Sequence, residues 1–305
     1  LAMPHSIYPS TSRKSRVSPL KTVALLSALA PALWLAIEAG LGLLGARPLN
    51  EAIHQSGLWS LWLLAVTLAV TPLRRATRWS RLISIRRIVG LSALAYALLH
   101  VILYAWGQHF DAPHIASEIF ARFYLTIGFI ALCLLCALGA TSTDAMIARL
   151  GAQRWSRLHK LVYAAAIASA IHFFMQAKLD VSQPIAMAGI FALLLGCRVA
   201  TWRLGDLSAG AVASVGACAA VGTAIGEAVW FKISTGVSLP LVLAANFDFS
   251  YAVRPCWFVA GAAFLLWIAR LARPLIVGGG APSGREKVDD ARLNSNQAAA
   301  LRLKI

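Results

Sequence analysis

The sequence predicts an all-α protein, a polytopic bundle of membrane-crossing helices. Three observations predict it. The chain of 305 residues is 59% hydrophobic and only 13% charged, where soluble domains carry about a quarter charged residues. Its apolar residues gather in runs that approach the length needed to cross about 30 Å of hydrocarbon at about 1.5 Å per residue. Basic clusters separate those runs. A strand reading fails, because the runs are too long and do not alternate. The composition also excludes a soluble cytoplasmic enzyme, a disordered chain and a secreted disulfide scaffold.

Eight helices are expected in order. The first, 22–46, follows a basic stretch; it is too long for the core of a cleaved signal peptide and is read as a retained span. The second, 57–73, is short and ends at Arg74-Arg75. The third, 87–107, begins at Arg86-Arg87, and the fourth, 123–140, follows Arg122. The fifth, 159–176, starts at His159, and the sixth, 184–202, stops before Arg203. The seventh, 207–230, contains Gly222-Thr-Ala-Ile-Gly226, a close-packing pattern. The eighth is 252–271. Residues 237–247 are apolar but too short to span, and suit an interfacial segment or a cover over an outer cofactor. The segments are thus a tail, 1–21; six helices, 22–203; a two-helix extension, 204–272; and a tail, 273–305, whose Gly278-Gly279-Gly280 reads as a flexible linker. No dinucleotide fingerprint, phosphate loop or internal repeat is visible.

Charge placement orients the bundle. Of the 28 Lys and Arg, only Arg47, Arg122, Lys178, Lys232 and Arg254 fall on the side away from the termini. Such a bias keeps the basic side in the cytoplasm, so both termini are expected there. The formal net charge of +16 therefore reads as topology and not as nucleic-acid binding. Cys133, Cys136, Cys197, Cys218 and Cys256 all lie in or beside apolar runs. Cys133-Leu-Leu-Cys136 has redox spacing, yet it sits at mid-membrane with no basic partner to generate a thiolate. These cysteines are read as small packing residues.

The histidines carry the chemistry. His54, His109 and His114 belong to outer loops or helix edges and read as solvated. His100 and His172 lie inside apolar helices, where a titratable group is costly and rarely idle. Heme ligand, proton relay and helix-to-helix hydrogen bond all remain open for each taken singly. Depth favours the first. His100 lies 13 residues beyond Arg87 and His172 lies 13 beyond His159, so both sit roughly 20 Å from the inner boundary. Two imidazoles at one level can hold an iron porphyrin between them. His159 stands at the inner level with no second histidine beside it. On one ideal helix, its phase also differs from that of His172 by roughly 220°. Gly90, Ala93, Ala97, Ala164, Ala165, Ala168 and Ala170 leave room either for a cofactor or for close helix packing.

An ordered series of motifs now becomes informative. Val-Thr-Pro-Leu-Arg74-Arg75 leads to Arg86-Arg87-Ile-Val-Gly90 and Tyr-Ala-Leu-Leu-His100. Arg122-Phe-Tyr124-Leu-Thr126-Ile-Gly128 and Thr141-Ser142-Thr143 come next. Arg154-Trp155-Ser-Arg-Leu-His159 and His172-Phe complete the series. It resembles the MsrQ (YedZ) family and, more broadly, ferric-reductase-like transmembrane domains, over roughly residues 22–203. The resemblance implies a six-helix heme-binding core plus two extra C-terminal transmembrane helices in a bacterial inner membrane. It implies heme b on His100, His172 and His159, and a flavin mononucleotide (FMN). It also implies electron transfer from the quinone pool or a flavin reductase to a periplasmic MsrP-like molybdopterin subunit, which reduces methionine sulfoxide in envelope proteins.

Arg74, Arg75, Arg86 and Arg87 fall at the inner interface. There guanidinium groups suit heme propionates or a flavin phosphate, as well as lipid head groups. Glu38 and Glu227 lie near outer helix ends and are read as head-group contacts or acceptors of a quinol proton. Trp79, Trp106, Trp155 and Tyr163 are read as interfacial anchors. The competing functions are a proton-coupled transporter using these histidines and a heme-free membrane anchor.

Overall fold

The computed structural model describes residues 18–177 and 180–273, and every described element is helical. The tails beyond them, including the glycine run at 278–280, lie outside the described residues. The long helices are α1 (Pro19–Gly40), α2 (Pro48–Thr77), α3 (Arg86–Gly107), α5 (Phe123–Ala140), α8 (Leu161–Gln176), α9 (Ser182–Leu204), α10 (Ala209–Thr235) and α12 (Pro255–Leu271). Shorter ones intervene: α4 (Ala112–Ala121), α6 (Asp144–Leu150), α7 (Ala152–Leu158) and α11 (Leu239–Ala245). A 3-10 stretch, Ser80–Ile85, joins α2 to α3. Among the described residues, seven helical segments are long and apolar enough to cross a membrane, one of them Ala152–Gln176, which runs through α7 and α8; α12, at 17 residues, is apolar but shorter.

Local chemistry explains the boundaries. Proline opens α1, α2 and α12, where its missing N–H costs nothing. Asp111, Thr143 and Ser208 cap α4, α6 and α10 by accepting the backbone N–H of His114, Met146 and Ala211. Gly205 and Gly236 end α9 and α10 at positive φ, which favours glycine.

Three expectations change. The second helix extends from Pro48 rather than from Gly57, because its polar first turns are satisfied. Gln55 donates to both Glu38 and Glu51, and the Ser56 hydroxyl donates to the Ala52 carbonyl. The first helix stops at Gly40 rather than at residue 46. The fifth expected helix starts at Leu161, because the chain breaks at His159 and Lys160 between α7 and α8.

The core is centred on α2. Leu61, Leu64 and Leu68 pack with Ala93 of α3, Ala165 of α8 and Phe191 of α9. The same cluster continues without a gap into Val212 of α10 and Val259 and Ala263 of α12. Close approach within the extension uses Gly216, where an added Cβ would lie 2.6 Å from that of Ala263. Gly222 and Gly226, expected to pack, face open space. Arg74, Arg75, Arg86 and Arg87 gather where α2 passes into α3, at the opposite end of α2 from Arg47; the first end is called inner and the second outer, after the expected orientation.

Candidate functional site

His100 of α3 and His172 of α8 meet. Their ring centroids are 6.3 Å apart and their planes cross at 84°. Each ring is held by the same device. Nδ1 of His100 lies 2.7 Å from the Ile53 carbonyl oxygen of α2, and Nδ1 of His172 lies 2.8 Å from the Tyr124 carbonyl oxygen of α5. A carbonyl only accepts, so Nδ1 carries the proton in both rings and Nε2 keeps a free lone pair. Four residues beyond each carbonyl stands a glycine. A Cβ at Gly57 would lie 2.9 Å from Nδ1 of His100, and one at Gly128 would lie 2.7 Å from Nδ1 of His172. Only glycine lets the imidazole come this close to the partner helix.

The pair fits an iron porphyrin. Two imidazoles holding one metal through their free nitrogens at about 2.0–2.1 Å would have centres a little over about 6 Å apart, and the 6.3 Å separation here is compatible with that. The cavity that contains both rings has a volume of about 580 Å³, within the range of about 300–1,000 Å³ for sites that enclose organic ligands. Its deep end is lined by Leu61, Ala97, Ala131 and Leu135, and its outer rim carries Asn50, Tyr104, Gln108, Arg122 and Gln176. No group of three or more His, Cys, Asp or Glu that could hold a metal ion gathers here or elsewhere among the described residues. Two imidazoles alone leave most of a metal's coordination sphere open. A ligand bringing its own in-plane donors completes it, as a porphyrin does.

His159 does not join them. It caps α7 at the inner boundary, with Nε2 3.3 Å from the Thr141 hydroxyl and its ring centroid 4.0 Å from that of Trp155. Trp155 in turn donates to the Thr141 carbonyl at 2.9 Å. The break between α7 and α8 removes the phase objection, since no continuous helix links His159 to His172. Of the small residues singled out, Ala97 lines the cavity, while Ala93 and Ala165 are fully buried in the helix core. Residues of α11 do not line it, so the segment 237–247 does not cover this site.

The arginines expected to hold propionates occupy the opposite end of α2 and α3 from this cavity. Arg75 donates to the Gly205 carbonyl and Arg87 pairs with Asp144 at 2.7 Å. Arg86 lies within electrostatic reach of His159, and the buried Nε of Arg74 has no partner. Sequence reasoning missed Arg198, which donates to the Tyr163 hydroxyl at 2.9 Å and the Leu68 carbonyl at 3.1 Å. It gave no binding role to Gly57, or to the rim residue Arg122, which it placed on the outer side and in the motif series. The available signal was a lone glycine within an apolar helix, which commonly has a packing reason. Glu227 is not a head-group contact: it is fully buried, 3.6 Å from Arg254.

Comparison with known proteins now bears on the site. Residues 56–170 match the family described as "Ferric reductase like transmembrane component". A protein of Herminiimonas arsenicoxydans is 41% identical over 183 residues, 59% of this chain and 84% of its own length. One of Bordetella pertussis is 39% identical over 198 residues, 64% of this chain and 94% of its own. Both are named "Protein-methionine-sulfoxide reductase heme-binding subunit MsrQ". The chain belongs to the MsrQ family. A further MsrQ relative, from Xanthomonas campestris strain 8004, is 43% identical over 171 residues, covering 56% of this chain and 77% of that protein. The present chain is a multi-pass membrane member of MsrQ, and the matched stretch covers 77–94% of these three relatives but 56–64% of this chain. No solved structure matches it.

Proposed function

We propose that this chain is the heme-binding membrane subunit of a protein-methionine-sulfoxide reductase, and that His100 and His172 are the axial ligands of a heme b near the outer surface. One observation carries the reading: two imidazoles at 6.3 Å whose Nδ1 protons are both committed to carbonyls. Heme bound there supplies one-electron redox chemistry. The protein residues hold and tune it. Ile53 and Tyr124 fix the tautomer and orientation of the rings and raise their basicity as ligands. The mainly apolar depth of the cavity disfavours water, and the rim opens toward the outer side.

This position suits delivery of electrons to a soluble catalytic subunit on the outer, periplasmic side of a bacterial inner membrane. The family name supports a protein-methionine-sulfoxide reductase partner, and the resemblance implies that this partner is an MsrP-like molybdopterin protein. The donor is the quinone pool or a flavin reductase, reached from the basic inner end. His159, with Trp155 and Thr141 around it, belongs to an inner step. The unpaired Nε groups of Arg74 and Arg198 offer donors to an anionic ligand there, and a flavin phosphate is one such ligand. In domain terms, 22–203 forms the heme-binding unit and 204–272 buttresses it.

The test is spectroscopic. The purified full chain should show a reducible low-spin b-type spectrum, and His100→Ala or His172→Ala should abolish it. A colourless wild type after heme supplementation, or either variant keeping the low-spin spectrum, would refute the assignment. His159→Ala should leave that outer-site spectrum in place.

A further inference from the structure

Among the described residues, Arg122 is the one Lys, Arg, Asp or Glu lining the cavity. It stands at the outer rim, between α4 and α5, with its side chain half exposed. Its Nε lies 2.6 Å from Glu118 of α4, and its Nη1 donates to the Tyr124 hydroxyl at 3.3 Å. Tyr104 shares the rim and lies within electrostatic reach of Arg122, Glu118 and Tyr124. The opposite, deep end of the cavity is mainly apolar, its Ser60 hydroxyl already given to the Ala93 carbonyl. A ligand with one apolar edge and one acidic edge is therefore sorted by the cavity: the acidic edge belongs at the rim.

Resting on the heme reading above, we propose that Arg122, flanked by the phenols of Tyr104 and Tyr124, binds the carboxylate edge of the porphyrin at the outer mouth, and that Glu118 competes with that edge for Arg122. A guanidinium with a carboxylate already seated on it is a formed carboxylate site. Glu118 belongs to α4, whose Ile115 and Ile119 also line the cavity, and Thr126 ties α4 to α5 by donating to the Ile119 carbonyl at 2.6 Å. The competition thus couples the position of α4 to the acidic edge of the cofactor. The arginines of the inner end play no part, since the whole bundle lies between them and the rim.

Two readouts test this on the purified full chain. The first is the midpoint potential of the bound heme. Arg122→Gln removes a positive charge beside the iron's macrocycle and should lower it, whereas Glu118→Gln removes the competing negative charge and should raise it. A purely structural role for the pair moves both variants the same way. The second compares loading of heme-free protein with iron protoporphyrin IX and with its dimethyl ester, which has no acidic edge. The wild type should prefer the free acid by roughly ten- to a hundredfold, the range of a charge-assisted hydrogen bond, and Arg122→Gln should lose that preference. A wild type with its low-spin spectrum and an Arg122→Gln variant with unchanged potential and unchanged preference overturn this inference alone. A wild type that takes up neither porphyrin overturns the heme reading and this inference with it.

Discussion

The atoms that decide what the two central histidines can do belong to other residues. An imidazole free to rotate offers either nitrogen to a metal; one whose Nδ1 is pinned to a carbonyl offers Nε2 alone. Gly57 and Gly128 make that pinning possible, because any side chain there meets the ring at the pinned nitrogen. Gly128→Ala should therefore turn His172 off the Tyr124 carbonyl and convert part of the low-spin spectrum to a high-spin one. Gly57→Ala should do the same to His100, to a smaller extent, since its added methyl has slightly more room. Low-temperature electron paramagnetic resonance of the two variants checks both, and two unaltered low-spin signals would remove the glycines from the account. The histidines were legible in the sequence, because a polar ring within an apolar run stands out and a shared 13-residue offset gives shared depth. The glycines were not. Gly is frequent in membrane helices, and nothing in a single sequence says which neighbouring ring a given glycine admits.

Between elements, ion pairs do different work at the two surfaces. At the inner end, Arg87 of α3 holds Asp144 of α6, and its guanidinium hydrogen bond and charge hold the Asp144 carboxyl below its ordinary range. A depressed carboxylate contributes stability that is fully present above its unfolded value and is lost as pH falls through the lowered folded value. The tether of α6 should accordingly stay constant from neutral pH down to about pH 5. Asp144→Asn should release it at every pH, read as faster amide exchange over 144–150. At the outer end, Glu227 of α10 is fully buried against Arg254, which caps α12, with both carboxylate oxygens lacking a hydrogen bond. Breaking such a pair on one side strands a buried charge, at a cost of about 3–5 kcal/mol, while replacing both partners with apolar residues of similar size is often neutral. Arg254→Met should thus lower thermal stability in detergent strongly, and adding Glu227→Leu to it should restore most of the loss. Equal losses in the single and double variants would contradict this. The sequence showed Glu227 near a helix end but not the return of Arg254 above it, which depends on how α11 and the following loop fold back. It also shortened the second helix, because the polar residues 50–56 read as a loop until their partners were visible.

At the scale of the whole molecule, the cavity and the extension are separable in one sense and continuous in another. Every residue lining the cavity falls between Leu49 and Gln176, so α10 to α12 supply none of the site. Yet the core that supports α2 and α9 runs on into Val212, Val259 and Ala263. Lipid is as apolar as the residues these helices bury, so the extension stabilises by close packing and polar ties rather than by withdrawal from water. The closest approaches are Gly189 to Thr223 and Val259, and Gly216 to Ala263. The polar ties at the inner end are Arg75 to the Gly205 carbonyl and Arg270 to the Leu207 carbonyl. Eight apolar runs and a one-sided basic bias were enough to read a bundle of this kind, but not that its core passes unbroken across residue 204, since contacts between distant helices leave no periodic trace. Truncation after Leu204 should keep the low-spin spectrum at low temperature while lowering the temperature at which that spectrum is lost in detergent. Loss of the spectrum at once would place the extension inside the site. An unchanged melting temperature would show that its packing contributes nothing to the bundle that holds the two imidazoles.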